Sequence, residues 1–145
     1  MMQATVEELK QELIENFTFL ESLDQKYEYV IELGKNLAQI PENLRLDTFK
    51  IRGCQSTVWL IPEISNHKIK FQADSDSVFV KGLISLLIYV SNNQSLKDVE
   101  ALDTEFIHKI GLGNYLSPSR SNGLVAMVKQ MKLPIPMNLP EILIC

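Results

Sequence analysis

Cysteine is scarce in this chain. Two occur in 145 residues, Cys54 and the final Cys145. With no secretory pattern at the start, two thiols point to a reducing compartment and exclude a disulfide-built scaffold. A basic surplus is also missing: 14 Lys and Arg stand against 18 Asp and Glu, a net charge of −4. The expectation is therefore no nucleic-acid partner, which needs a basic face. The opening stretch "MMQATVEELKQELIE" is acidic and amphipathic, and the first arginine is Arg45. It matches neither a signal peptide nor a transit peptide, so the expected location is cytoplasmic. Long apolar runs are absent too. The most apolar one, "VFVKGLISLLIYV", contains Lys81 and falls short of the roughly 20 residues that span a bilayer. It reads as a buried helix, and no membrane partner is expected. Histidine is limited to His67 and His108, in unrelated contexts, and no C-x-x-C pair exists; a metal site is not expected.

The length suits one domain with a real core. Thr5 with Glu8 forms a capping box, and Val6, Leu9, Leu13, Phe17 and Leu20 follow at helical spacing. Asp24 can cap a second helix whose apolar side carries Tyr27, Val30, Ile31 and Leu37. Gly34 allows close approach of another element, and Ile40-Pro41 stops the helix. The period then changes. "TFKIRG", "STVWLIPEI" and "HKIKFQAD" read as three strands, the last with Ile69, Phe71 and Ala73 facing one way and Lys68, Lys70 and Gln72 the other. "SNH" is turn material. Asp74, Ser75 and Asp76 supply caps for the apolar helix. Ser95 with Asp98 starts another helix, Asp103 a short one through Lys109, and Gly111 and Gly113 break it. Ser117-Pro118 opens the last, with Leu124, Met127, Val128 and Met131 on its apolar face. The fold class is α+β: a small antiparallel sheet of about three strands, covered by helices on one side. Residues 1–132 form the domain, and the proline-rich 133–145 a tail.

Two stretches carry chemistry. In "RGCQSTVW" a lone thiol, Cys54, follows Gly53 between two expected strands, which places it at a hairpin tip. Structural cysteines are more often packed and inert. The tip position and neighbouring Arg52 weigh towards a reactive thiolate, and physics alone leaves the two readings balanced. A Cys–His hydrolase and a Cys54–Cys145 disulfide are weaker alternatives. In "LSPSRSNGL", Arg120 falls in the first turn of the last helix, where a cation opposes the macrodipole. A broken local rule marks a site, here an anion pocket of helix amides plus Arg120; the plainer reading is a carboxylate partner elsewhere. Gly123 suggests tight packing against a neighbour, such as the Cys54 hairpin.

"GCQSTVW" and "LSPSRSNGL" resemble the paired signatures of the SufE family, sulfur acceptors of iron–sulfur cluster assembly. "DSDSVFVKGLISLL" and "YEYVIELGKNL" are similar to its central and N-terminal helices. The match runs collinearly from Leu20 to Lys132, and four blocks in order make it specific. The resemblance implies an IscU-related α+β fold and a persulfide carrier. Cys54 would accept sulfur from a pyridoxal-phosphate cysteine desulfurase (SufS-like) and pass it to an iron–sulfur scaffold (SufB-like). Arg120 corresponds to the family's arginine, and Arg120 and Arg52 are candidates for stabilising the sulfur anion. No cofactor is expected on this chain, since pyridoxal phosphate belongs to the desulfurase. By this reading the protein stimulates its partner and is not an enzyme alone; a homodimer is left open. Rival readings are a non-carrier adaptor that activates the desulfurase, and a stand-alone thiol enzyme. Two features depart from the family: Phe49, where relatives often carry a small polar residue, and the tail ending in Cys145.

Overall fold

The structure, a computed structural model, describes residues 4–51 and 56–132. The tail expected at 133–145, with Cys145, lies outside the described residues. Helix α1 (Val6–Thr18) begins at the expected capping box, with Thr5 Oγ1 accepting from the Glu8 amide and Glu8 from the Thr5 amide. It buries Leu13 and Phe17. Helix α2 (Leu23–Lys35) starts one residue before the expected cap. Ser22, paired with Gln25, caps it, which leaves the Asp24 carboxylate for another partner.

Strands β1 (Val58–Ser65) and β2 (Lys68–Ser75) form an antiparallel hairpin. Its two-residue turn holds Asn66 at φ 53° and His67 at φ 65°, positive at both positions as a type I′ turn requires. The β2 alternation is as read: Ile69, Phe71 and Ala73 are buried, Lys68, Lys70 and Gln72 exposed. The third strand is not the one expected. "TFKIRG" does not form it, because the chain turns in one-turn 3-10 helices at Glu42–Leu44 and Asp47–Phe49. That turn drops Phe49 onto Ile40 and Ile61 in a second small core, and contact with the sheet edge is limited to an isolated bridge of Lys50 to Trp59 with the Ile51 amide on the Val58 carbonyl. The third strand is instead β3 (Gln94–Ser95), paired with the start of β2. The sheet order is β1-β2-β3. Helices cover one face, and the 40–51 segment covers part of the other, where one covered side was expected.

Between β2 and β3 runs α3 (Val78–Ser91), the apolar helix, capped by Ser77 rather than by the Asp74–Asp76 run. Leu83, Leu86, Leu87 and Val90 are essentially inaccessible. Helix α2 packs on α3 with almost no spacing. A Cβ placed on Gly82 would lie 2.2 Å from the Val30 carbonyl oxygen, and one on Gly34 would lie 2.7 Å from the Gly82 nitrogen. Gly34 therefore serves the close approach read from its position. Helices α4 (Leu96–Glu100) and α5 (Glu105–Ile110) follow. The α5 C-terminus is closed by Gly111 at φ 80° and by Lys26 Nζ, which donates to the Ile110 carbonyl at 2.9 Å. After a 3-10 turn at Gly113–Tyr115, α6 (Pro118–Lys132) lays Leu124, Met127, Val128 and Met131 into the core. Among the described residues no helix is long and apolar enough to cross a membrane.

Candidate functional site

Cys54 and Arg52 lie outside the described residues, but the chain on both sides of them is firmly placed. The Ile51 amide donates to the Val58 carbonyl at 2.9 Å. Thr57 and Asp76 exchange two bonds: the Thr57 amide donates to Asp76 Oδ1 at 3.1 Å, and the Asp76 amide to the Thr57 carbonyl at 3.2 Å. Ile51 and Thr57 are thus each hydrogen-bonded to the sheet and its following turn, and the hairpin tip expected at Cys54 lies outside the described residues.

Ser56 and Val58, on the outgoing arm, line a pocket of about 330 Å³. Val80, Leu83 and Ile84 of α3 and Leu124 and Met127 of α6 make its apolar walls, and Ser117, Ser119, Arg120 and Gly123 supply the α6 end. Local chemistry builds that end. Ser117 Oγ accepts from the Arg120 amide at 3.3 Å, an N-cap bond, with Pro118 at the first helical position. Arg120 is consequently in the first turn, as read, and is one of the residues that line the pocket.

The carboxylate alternative for Arg120 does not hold among the described residues. Its Nη1 donates to the Tyr115 carbonyl at 2.9 Å, and its Cζ lies 4.8 Å from the Phe79 ring centroid. No described carboxylate forms an ion pair with it. A guanidinium has five N–H donors, so among the described residues this one keeps donors and an unneutralised charge, beside a pocket lined by serine hydroxyls as well as apolar side chains. Phe79 belongs to an aromatic triangle that sequence reading missed. Tyr27 stacks on Phe79 at 4.8 Å and on Tyr115 at 4.5 Å, and Phe79 meets Tyr115 at 6.2 Å. The Tyr115 hydroxyl donates to Asp24 Oδ1 at 2.5 Å, a bond to the carboxylate that raises its pKa above the usual tyrosine value. The only sequence signal pointing here was the misplaced cation itself.

A second charged cluster stands on the sheet's other face. Asp74, buried, receives Arg45 Nη2 at 2.5 Å and the Ser75 amide at 2.8 Å, with Lys81 Nζ at 3.4 Å. Burial pushes its carboxyl up, but these partners outweigh it and leave the pKa below the ordinary value. This cluster ties the 40–51 segment to the sheet. The two histidines stand in different places. His67 is at the far end of the eight-residue β1, roughly 20–25 Å from the anchored end of the loop. His108 is exposed, with Nε2 3.5 Å from Ser121 Oγ. No group of three or more potential metal-ligating side chains occurs among the described residues. A larger groove of about 590 Å³ between α1, α2 and α3 is lined by no described charged residue.

Fold and site together define a class: a small α+β domain with an arginine-lined pocket at the start of its last helix. Comparison with known proteins makes the class specific. A family model described as "SufE: Fe-S metabolism associated domain" matches residues 11–134, and the chain belongs to the SufE family. An uncharacterized SufE-like protein of Rhizobium etli is 39% identical over 126 residues, covering 83% of this chain and 85% of that protein. The cysteine desulfuration protein SufE of Wigglesworthia glossinidia brevipalpis is 39% identical over 121 residues, covering 82% and 84%. Among solved structures, the solution structure of a hypothetical protein from Thermus thermophilus superposes with a TM-score of 0.71 at 17% identity, covering 94% of this chain and 97% of that one. At that identity the likeness speaks for the fold. The family places the protein in iron–sulfur metabolism, and the α+β class with a three-stranded sheet stands.

Proposed function

We propose that this protein is a persulfide carrier. Cys54 accepts sulfur from a cysteine desulfurase, stimulates that enzyme by relieving it of product, and passes the sulfur to an iron–sulfur scaffold. The observation that carries the reading is Arg120: a cation without a described carboxylate partner, held at a pocket that Ser56 and Val58 also line. Family membership and the name of the Wigglesworthia relative support the sulfur-transfer class.

The chemistry is thiol exchange. The Cys54 thiolate attacks the outer sulfur of the partner's persulfide. A new S–S bond forms as the partner's S–S bond breaks, and the partner's inner sulfur leaves as a thiolate. Any proton on the outer sulfur travels with it, and no external oxidant or reductant is consumed. Product persulfide is an anion near neutral pH, and Arg120, with Arg52 as a second candidate, stabilises it. Pyridoxal phosphate stays with the desulfurase.

The test is intact mass after mixing with a cysteine desulfurase and free cysteine. Added mass of one or more sulfur atoms, lost in Cys54→Ser and retained in Cys145→Ser, supports the carrier. Stimulation without added mass supports an adaptor instead, and turnover without any desulfurase supports a stand-alone thiol enzyme.

A further inference from the structure

We propose that the aromatic triangle of Tyr27, Phe79 and Tyr115 is a clamp that holds the Arg120 guanidinium in one orientation at the pocket. Phe79 and Tyr115 are then positioning residues for sulfur transfer. The inference rests on the anion-stabilising reading of Arg120 and deepens it.

An arginine side chain has four rotatable bonds and loses about 2 kcal/mol of rotamer entropy when fixed. An exposed one would sample many directions and would stabilise an anion poorly. Here two restraints act on one guanidinium. The Phe79 face lies under it at 4.8 Å, within cation–π range. The Tyr115 carbonyl takes one N–H at 2.9 Å. Neither restraint is a charge, so the guanidinium is oriented without being neutralised. A carboxylate partner would have given orientation and removed the charge together.

The two restraints are themselves fixed. Phe79 is 1% exposed and sits in the first turn of α3, three residues after the Asp76 that anchors Thr57. Tyr115 ends the 3-10 turn, where its ring is stacked on Tyr27 and its hydroxyl is held by Asp24. The ring planes meet at 21°, 28° and 49°, so stacked and tilted contacts interlock. Three starts of elements meet at this point: α2 through Asp24 and Tyr27, α3 through Phe79, and α6 through Arg120. The clamp therefore ties Arg120 to the first turn of α3, just after the Asp76 that holds Thr57.

Two measurements test it, one independent of function. In NMR spectra of the native protein the Arg120 side-chain protons should be shifted upfield by the Phe79 ring current, with an ordered Nε–H. Averaged, random-coil shifts in the native protein would overturn the clamp whatever the transfer activity. The second measurement is transfer in Phe79→Leu, Phe79→Trp and Arg120→Ala, alone and in the Phe79→Leu/Arg120→Ala combination. Phe79→Leu should slow transfer about two- to fivefold, the worth of one cation–π contact expressed as a rate. Phe79→Trp should restore it, and Phe79→Leu should cost nothing further once Arg120 is alanine. Additive losses would mark Phe79 as merely structural and refute its positioning role. If the ring-current shift is present but Arg120→Ala transfers normally, the clamp stands as geometry and the anion-stabilising reading of Arg120 is what fails.

Discussion

Replacing Gly82 by alanine is a sharp test of the close crossing that places the site. Two effects oppose each other. Alanine is a better helix former than glycine by about 1 kcal/mol, so an uncrowded α3 would gain. The added Cβ, however, would lie 2.2 Å from the Val30 oxygen, 2.5 Å from Val30 Cγ1 and 2.7 Å from the Val30 carbonyl carbon. A tolerable C···O contact begins near ~3.3 Å, so α2 must retreat by about 1 Å. A gap of 0.5–1 Å forfeits roughly a quarter to a half of the dispersion energy along a packed face. Val30 is fully buried and cannot swing aside. Overpacking of this kind costs about 1–3 kcal/mol, and a backbone clash belongs at the upper end. The net loss is about 2 kcal/mol, which lowers Tm by roughly 6–8 °C for a chain of this size. Gly34→Ala, with its nearest contacts at 2.7 and 2.8 Å, should lose less. Thermal unfolding followed by circular dichroism reads both, and urea midpoints with unchanged slope confirm that stability alone moved. Unchanged or higher Tm in Gly82→Ala would refute the crossing, because helix propensity would then have acted without opposition. The displaced α2 also carries Tyr27 away from Phe79, so sulfur transfer should fall in proportion more than stability does.

Arg120→Ala should keep Tm within a few degrees, since a cation–π contact at a part-exposed site is worth about 0.5–1 kcal/mol, while transfer drops markedly; an unfolded variant or a fully active one contradicts the assignment in opposite ways. Cys54 should react slowly with an alkylating agent in the free protein and faster when a desulfurase lacking its own catalytic cysteine is bound, because a persulfide left open would be lost to cellular thiols; equal rates in both states, close to that of unfolded chain, would exclude gating. Asp74→Asn should lose about 1–3 kcal/mol at pH 7, the range for a hydrogen bond to a charged group. The sign with pH follows from the lowered native pKa: the contribution is complete above the unfolded carboxylate value near ~3.9 and disappears as pH falls through the native one. Urea midpoints from pH 7 to pH 3 should therefore converge for wild type and Asp74→Asn at the acid end, and a constant gap would show that Asp74 is not the group responsible.

Local signals of one or two turns were legible. The Thr5–Glu8 box, the β2 alternation, the apolar α3 and the Ser117-Pro118 start all follow from side chains close in sequence, and all stand in the structure. What escaped depends on distant partners. Two residues, Gln94 and Ser95, are too few to show a period, and they are a strand only because Lys68 and Ile69 lie beside them. "TFKIRG" has strand composition, yet Phe49 finds Ile40 and Ile61, and a turn delivers it there better than an extended chain. The second helix is capped two residues before the expected position because Ser22 and Gln25 cap reciprocally, which releases Asp24 to hold Tyr115.

That release connects the levels of the molecule. Asp24 is not needed by its own helix, so its carboxylate can fix a tyrosine 91 residues further along. Tyr115 gives up its backbone carbonyl to Arg120, which leaves the cation oriented but uncompensated among the described residues. In sequence the same arginine is a small electrostatic error, a positive charge at the positive end of a helix. In the fold the error is stabilised by a ring face and a carbonyl, neither of which cancels its charge. Unfavourable placement relative to the dipole and absence of a described carboxylate act in the same direction: both leave the α6 end of the pocket more attractive to an anion than to water. A residue serving only stability would be better placed one helix length away, at Lys129 or Lys132, where the dipole favours a cation. Arg120 stands at the end that an incoming sulfur anion would use.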